Sequence, residues 1–179
     1  MRTTPVLTPC GMRAWERATW SAGVREADVI ARVGEAVAAA VRRMAPTGRV
    51  LLLAGKGHNG DDARAAMAHL AGREVALLDV HDPVASLPGL VRELSMQPSL
   101  VVDGLFGIGL NRHLSDEWIR LVELVNAASR RVLAVDVPSG LNASWDVPLA
   151  VAGEPIRVTA PLVASIAVSD AVPAAKSPA

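Results

Sequence analysis

The 179-residue sequence has no tyrosine, one phenylalanine and one cysteine, and aromatic residues make up only 3% of it. Without tyrosine, the Tyr/Lys catalytic pair of many dehydrogenases cannot be built. So few aromatics argue against a stacking platform for nucleic-acid bases. The lone Cys10 excludes an internal disulfide framework and fits a reducing compartment. It has no motif around it that would mark a nucleophile. Basic and acidic residues balance at 18 each, for a net charge of +0. The chain therefore lacks the electrostatic footprint of a nucleic-acid or anionic-membrane binder. No apolar run reaches the roughly 20 residues that span a bilayer, and no basic segment leads into an apolar one as in a signal peptide. These absences predict a cytoplasmic protein with neither a nucleic-acid nor a membrane partner.

What is present is aliphatic: 51% of the residues are hydrophobic, mostly Ala, Val and Leu. That composition favours a sheet covered by helices, and the length suits a single domain spanning 1–179. Helical spacing runs from Met12 to Arg43 and is broken by Gly23, predicting helices over about 12–21 and 26–44. Pro46, Thr47 and Gly48 make a turn. Arg49 to Ala54 is a continuous aliphatic run, typical of a strand buried on both faces. A helix over 61–71, a strand over 74–80 and a weaker helix over 87–96 follow. A strand in "SLVVDGLFGIGL" comes next, then a helix over 115–128 that Ser115 can cap. "RRVLAVDVPSG" is a further strand and turn, and "IRVTAPLVASIAV" holds one or two short strands. Strands alternating with helices imply a parallel sheet with right-handed crossovers.

Gly55, Gly57 and Gly60 fit G-x-G-x-x-G between a strand and a helix, with Asp79 ending the next strand as a dinucleotide fingerprint asks. A tight strand-to-helix turn uses glycines for its own reasons, so the motif alone is weak. Asp61 and Asp62 also occupy the positive helix end that a phosphate would use, with Lys56 able to offset one of them. Two further strand ends carry chemistry. Asp103 precedes Gly104, Gly107 and Gly109, and Asp136 precedes Pro138, Ser139 and Gly140. Ligands in open α/β sheets gather at such carboxyl ends. Either aspartate alone could be a loop cap; two carboxylates and Asn59 at one sheet edge point to a site.

"GKGHNGDDARAAMAHL", "VVDGLFGIGLNRHLSDEWIRLVELVNAASRRVLAVDVPSGLNA" and the leading "MRAWERATWSAGV" resemble the NAD(P)H-hydrate epimerase family, the YjeF N-terminal domain, from about Met12 to Ala143. The resemblance implies a Rossmann-like three-layer αβα sandwich with a mostly parallel central sheet and two N-terminal helices. It also implies a homodimer, a bound potassium ion and interconversion of the R and S forms of hydrated NADH or NADPH. The family's N-N-G-G-D substrate loop falls on His58, Asn59, Gly60, Asp61 and Asp62. Its second substrate loop falls on Gly107, Ile108, Gly109, Leu110, Asn111, Arg112 and His113, and its active-site aspartate on Asp136. Its potassium ligands fall on Asn59, Asp103 and Ser139, the last through a carbonyl.

The chain departs from the family pattern at His58, Asp61 and Ala63 in the first loop, and at Ala31 in the early element. Its tail is short, with Ala160 to Val163 in place of "A-D-x-T" and Lys176 as a loose match to the late lysine. The carboxylate at Asp61 is expected to take room and favourable charge from a pyrophosphate. Two alternatives stay open: a non-catalytic nucleotide-binding or scaffold relative, and an NAD-dependent oxidoreductase suggested by the glycine motif with Asp79. His81 and His113 lack metal-ligand spacing, and Ser139 in P-S-G is not a hydrolase nucleophile elbow.

Overall fold

An unbroken aliphatic strand needs cover on both faces, and Val50–Ala54, strand β1, has it: all five residues are buried at 0% exposure. The computed structural model describes residues 9–110, 112–141 and 163–166. Helices α1 (Pro9–Ser21) and α2 (Glu26–Met44) precede β1. After it come α3 (His58–Ala66), β2 (Val75–Asp79), α4 (Pro83–Ser95) and β3 (Leu100–Gly104). Helix α5 (Asp116–Ala127), β4 (Val132–Val135) and β5 (Val163–Ile166) complete the series.

The sheet is parallel throughout, in the order β2-β1-β3-β4-β5. On one face Val33, Val37 and Val41 of α2 and Ala66 of α3 meet Val50, Leu52, Val102 and Leu133. On the other, Leu90 of α4 and Leu121, Val122 and Val125 of α5 meet Leu51, Leu53, Val101 and Val132. Each fully buried Val or Leu contributes about 1.5–3 kcal/mol against an exposed one. The chain leaves β1 toward β2 on one side and returns to β3 on the other. That reversal opens a crevice at the carboxyl ends of β1 and β3, where open α/β sheets bind ligands.

Two helix starts differ from the sequence expectation. Helix α4 begins at Pro83 rather than Leu87, because Asp82 Oδ1 accepts the amide of Ala85 at 2.9 Å and Pro83 preorganises the first turn. Pro88 lies inside that helix and forgoes one backbone bond. Helix α3 begins at His58 rather than Asp61 and ends at Ala66, followed by a 3-10 turn over Met67–His69. His58 to Gly60, expected in the loop before the helix, thus belong to its first turn. Ser115 occupies the N-cap position of α5 but makes no side-chain bond to its amides. The segment expected to hold one or two short strands supplies β5, paired with β4.

Candidate active site

Because α3 starts at the crevice, its first turn points Asn59 across to the neighbouring strand ends. Asn59 Nδ2 donates to the carbonyl of Phe106 at 2.8 Å and of Val135 at 2.7 Å. One side chain thereby ties α3 to the segment after β3 and to the end of β4. Beneath it, Asp103 of β3 is 0% exposed. Ser139 donates its hydroxyl to Asp103 Oδ1 at 2.6 Å and its amide to Oδ2 at 2.8 Å, and the Leu105 amide donates to Oδ1 at 3.2 Å. Burial still holds this carboxyl above the usual carboxylate range, with those bonds pulling the other way.

Asp136 follows β4 with φ of +69°, a left-handed conformation uncommon for a residue other than glycine. Its Oδ2 accepts the amide of Ile108 at 2.7 Å. Burial pushes its carboxyl up, opposed by that bond. Gly107 lies between the two functional side chains: a Cβ there would sit 2.6 Å from Asn59 Oδ1 and 2.8 Å from Asp136 Oδ2. Only glycine lets the chain pass so close.

These groups border a cavity of about 630 Å³, within the roughly 300–1,000 Å³ of small-molecule sites. Of the residues singled out from sequence, His58, Asn59, Asp62, Gly107, Ile108, Gly109, Leu110, Arg112 and Asp136 line it. Lys56 lines it as well. Asn111 lies outside the described residues. Asp103 and Ser139 are buried below the floor, both at 0% exposure. His113 is exposed and outside the lining.

Gly60 and Asp61 do not line the cavity. Gly60 packs against the carbonyl of Gly55, where a Cβ would come within 1.9 Å of the oxygen. Asp61 turns outward, and its Oδ1 accepts from Arg64 Nη1 at 2.9 Å. The expected crowding of the site by Asp61 does not occur, because the next residue along the helix, Asp62, is the one that faces inward. The charge offset expected from Lys56 comes from Arg64 instead. Arg64 also donates from Nε to Asp79 Oδ1 at 2.7 Å and from Nη2 to the Gly55 carbonyl at 2.9 Å. Asp79, the residue that would meet a ribose in a dinucleotide fingerprint, is therefore held by an internal arginine.

Asp62 is 4% exposed, and its side chain has no hydrogen-bond partner among the described residues. Burial, with the charges of Asp61 and Asp136, pushes its carboxyl up to about 7. His58 Nε2 lies 2.6 Å from Glu26 Oε1, joining the starts of α2 and α3. Sequence reasoning missed the edge-to-face pair Phe106–Trp118, centroids 4.7 Å apart, which forms one wall. It also missed Glu16 of α1. The Asp61–Arg64 pair was available from its i,i+3 spacing.

The donor set suits an alkali cation. The carbonyls of Phe106 and Val135 converge on the Asn59 amide, whose O and N positions are interchangeable by a flip. With Asp103 these are hard oxygen donors carrying one formal charge. Among the described residues no three His, Cys, Asp or Glu groups are placed to share a metal ion. No helix there is long and apolar enough to cross a membrane.

Residues 78–169 match the family described as YjeF-related protein N-terminus. The chain is 39% identical over 168 residues to a protein named NAD(P)H-hydrate epimerase from Bordetella pertussis, covering 83% of this chain and 72% of that one. It is 32% identical over 174 residues to the protein of the same name from Limosilactobacillus fermentum, covering 84% and 82%. The crystal structure of the yeast protein ynu0 superposes with a TM-score of 0.65 at 19% identity, covering 77% of this chain and 72% of that one. The last likeness concerns the fold alone. With more than half of its length matching the family pattern and such relatives along most of the rest, the chain belongs to the YjeF-related N-terminal family.

Proposed function

We propose that this protein is an isomerase that interconverts the R and S forms of hydrated NADH and NADPH, a metabolite-repair reaction. The observation that carries the reading is the meeting of Asn59, Asp62 and Asp136 on one cavity of about 630 Å³, in a chain whose relatives bear the name NAD(P)H-hydrate epimerase. Epimerising a hydrated nicotinamide carbon requires a proton to move and a C–O bond to loosen. Asp136, half-enclosed and with a raised pKa, is the acid/base group of this reading; such a group is typically worth about 10²–10⁴-fold in rate. Lys56 and Arg112 border the same cavity and offer positive charge to the substrate's phosphates. The Phe106–Trp118 wall offers an apolar surface to a ring.

Asn59, Asp103 and Ser139 would hold a potassium ion, which would order the two substrate segments and balance phosphate charge rather than activate water. A homodimer in the cytoplasm belongs to the same reading. Exposed Val84 and Val91, seven residues apart on α4, with Leu77 on edge strand β2, support a contact between two copies. Equilibrium sedimentation with Val91→Glu tests it, since a monomeric wild type would end that part.

The oxidoreductase alternative loses its main support, because Arg64 engages Asp79. The deciding experiment adds the protein to an R/S mixture of hydrated NADH and follows R-to-S conversion by chromatography. Conversion that disappears in Asp136→Ala upholds the proposal. Binding without conversion would favour the scaffold reading.

A further inference from the structure

The reaction above calls for two proton movements, one at bond breaking and one at bond making. Asp136 supplies one group. A second carboxyl reaches the same cavity from a different element: Asp62 on α3. It is only 4% exposed, and no described residue hydrogen-bonds its oxygens. Asp103, also buried, has three such bonds. A structural carboxylate is normally satisfied in this way; the side chain of Asp62 instead lines the cavity. Behind Asp62 lies a small recess of about 40 Å³ between α1 and α2, walled by Trp15, Trp20, Val29 and Ile30. One side of Asp62 therefore meets a mostly apolar recess that Glu16, Glu26 and His58 also line, and the other opens on the substrate cavity. That arrangement favours a neutral acid over a carboxylate.

We propose that Asp62 is a second catalytic residue, the acid that protonates the departing hydroxyl, with Asp136 as the base for the returning water. The inference rests on the epimerase reading. In the hydrated ring the hydroxyl-bearing carbon is bonded to the ring nitrogen. Asp62 gives its proton to that hydroxyl, the C–O bond breaks, and water leaves. The nitrogen lone pair forms a C=N⁺ bond. Water adds to the opposite face, its oxygen forms the new C–O bond, and the C=N⁺ pair returns to nitrogen. Asp136 takes the proton released. Asp62 ends ionised and Asp136 protonated, which is the state that runs the reverse reaction, or the two exchange protons with solvent. No oxidant or reductant enters.

The charges facing Asp62 fit this division. Asp61 and Asp136 disfavour its ionisation, while Glu16 of α1 and Glu26 of α2 line the same recess. The His58 side chain there lies against Glu26. Ionisation at about 7 places the acid near neutral pH, where a general acid works best. The expected pH–rate profile has an alkaline limb: activity falls as pH rises through about 7, when Asp62 loses its proton.

The test follows R-to-S conversion of hydrated NADH across pH, in water enriched in ¹⁸O, for the wild type and Asp62→Asn. The expected result is ¹⁸O entering the epimerised product, with kcat of the variant down about 10²–10⁴-fold. KM should stay within about threefold, as for a group that acts in the transition state. Asp62→Glu should restore part of kcat. A variant that keeps kcat and loses only KM would make Asp62 a binding residue and overturn the inference, leaving the epimerase reading intact. So would conversion without ¹⁸O uptake. Should Asp62→Asn not fold, the wild-type profile decides, and an alkaline limb absent near pH 7 refutes the role. A wild type that converts nothing overturns both readings together.

Discussion

Ser139 satisfies both oxygens of Asp103, its hydroxyl on Oδ1 at 2.6 Å and its amide on Oδ2 at 2.8 Å. The same hydroxyl oxygen accepts the amide of Phe106 at 3.1 Å. The turn after β4, the core of β3 and the segment after β3 are thus fastened at one buried point. Ser139→Ala removes a donor from the carboxylate and an acceptor from the Phe106 amide. The expected loss is about 1–3 kcal/mol of stability, read as a lowered urea midpoint with an unchanged slope. A midpoint equal to that of the wild type would show that water replaces the hydroxyl.

Gly107 separates Asn59 from Asp136 and leaves no room for a methyl group. Gly107→Ala forces Asn59 Oδ1 and Asp136 Oδ2 apart, while the surrounding core stays intact. A misplacement of this size costs roughly 10²-fold in turnover. The expected outcome is a fall in kcat/KM on that order, with thermal unfolding displaced by only a few degrees. Full activity in Gly107→Ala would mean that the two side chains need not hold their spacing.

Arg64 keeps two like charges, Asp61 and Asp79, on one face of the glycine turn and also caps the carbonyl of Gly55. The ion pairs are partly exposed, and pairs of this kind are worth about 0–1 kcal/mol each. The carbonyl bond adds about 1 kcal/mol. Arg64→Ala should therefore destabilise by about 1–3 kcal/mol, more at low salt than at high salt. A double-mutant cycle with Asp79→Asn measures the coupling directly. An interaction energy indistinguishable from zero would show that the Arg64–Asp79 pair adds nothing to stability.

Much of this arrangement is legible in the amino-acid sequence. The run at Val50 to Ala54 specifies a doubly covered strand, and the Asp-Gly and Pro-Ser-Gly sequences after the later strands mark the crevice. Asn59, Asp103, Asp136 and Ser139 do meet there. What escaped is orientation. Asp61 and Asp62 are adjacent and chemically identical, and only the helical phase of α3, which starts at His58, sends one outward and the other inward. Moving that start by three residues, as the glycine motif suggests, rotates the side chains by most of a turn. The Asp61–Arg64 pair was within reach of i,i+3 spacing, but the reach of the same arginine to Asp79, 15 residues on, was not. Nor was the wall made by Phe106 and Trp118, since it depends on where α5 packs against the segment after β3.

The burial of Asp62 carries a consequence for stability that needs no substrate. Its folded pKa of about 7 lies above the ordinary carboxylate value of 3.8, so between those values the folded chain holds a proton that the unfolded chain has lost. Stability from this group is complete below about pH 4 and is lost as pH rises toward 7. One pKa unit corresponds to about 1.36 kcal/mol, which caps the effect on the order of 4 kcal/mol. Asp103 and Asp136, also raised, tilt the wild type in the same direction, so the comparison of variants isolates Asp62. An asparagine side chain cannot ionise, and the substitution leaves a neutral polar group in the same place. Asp62→Asn should match the wild type near pH 3 and exceed it by several kcal/mol at pH 8. Urea unfolding at four pH values between these limits gives the two curves. If they run parallel, Asp62 ionises in the folded protein as freely as in the unfolded one, and its unpartnered burial is relieved by water.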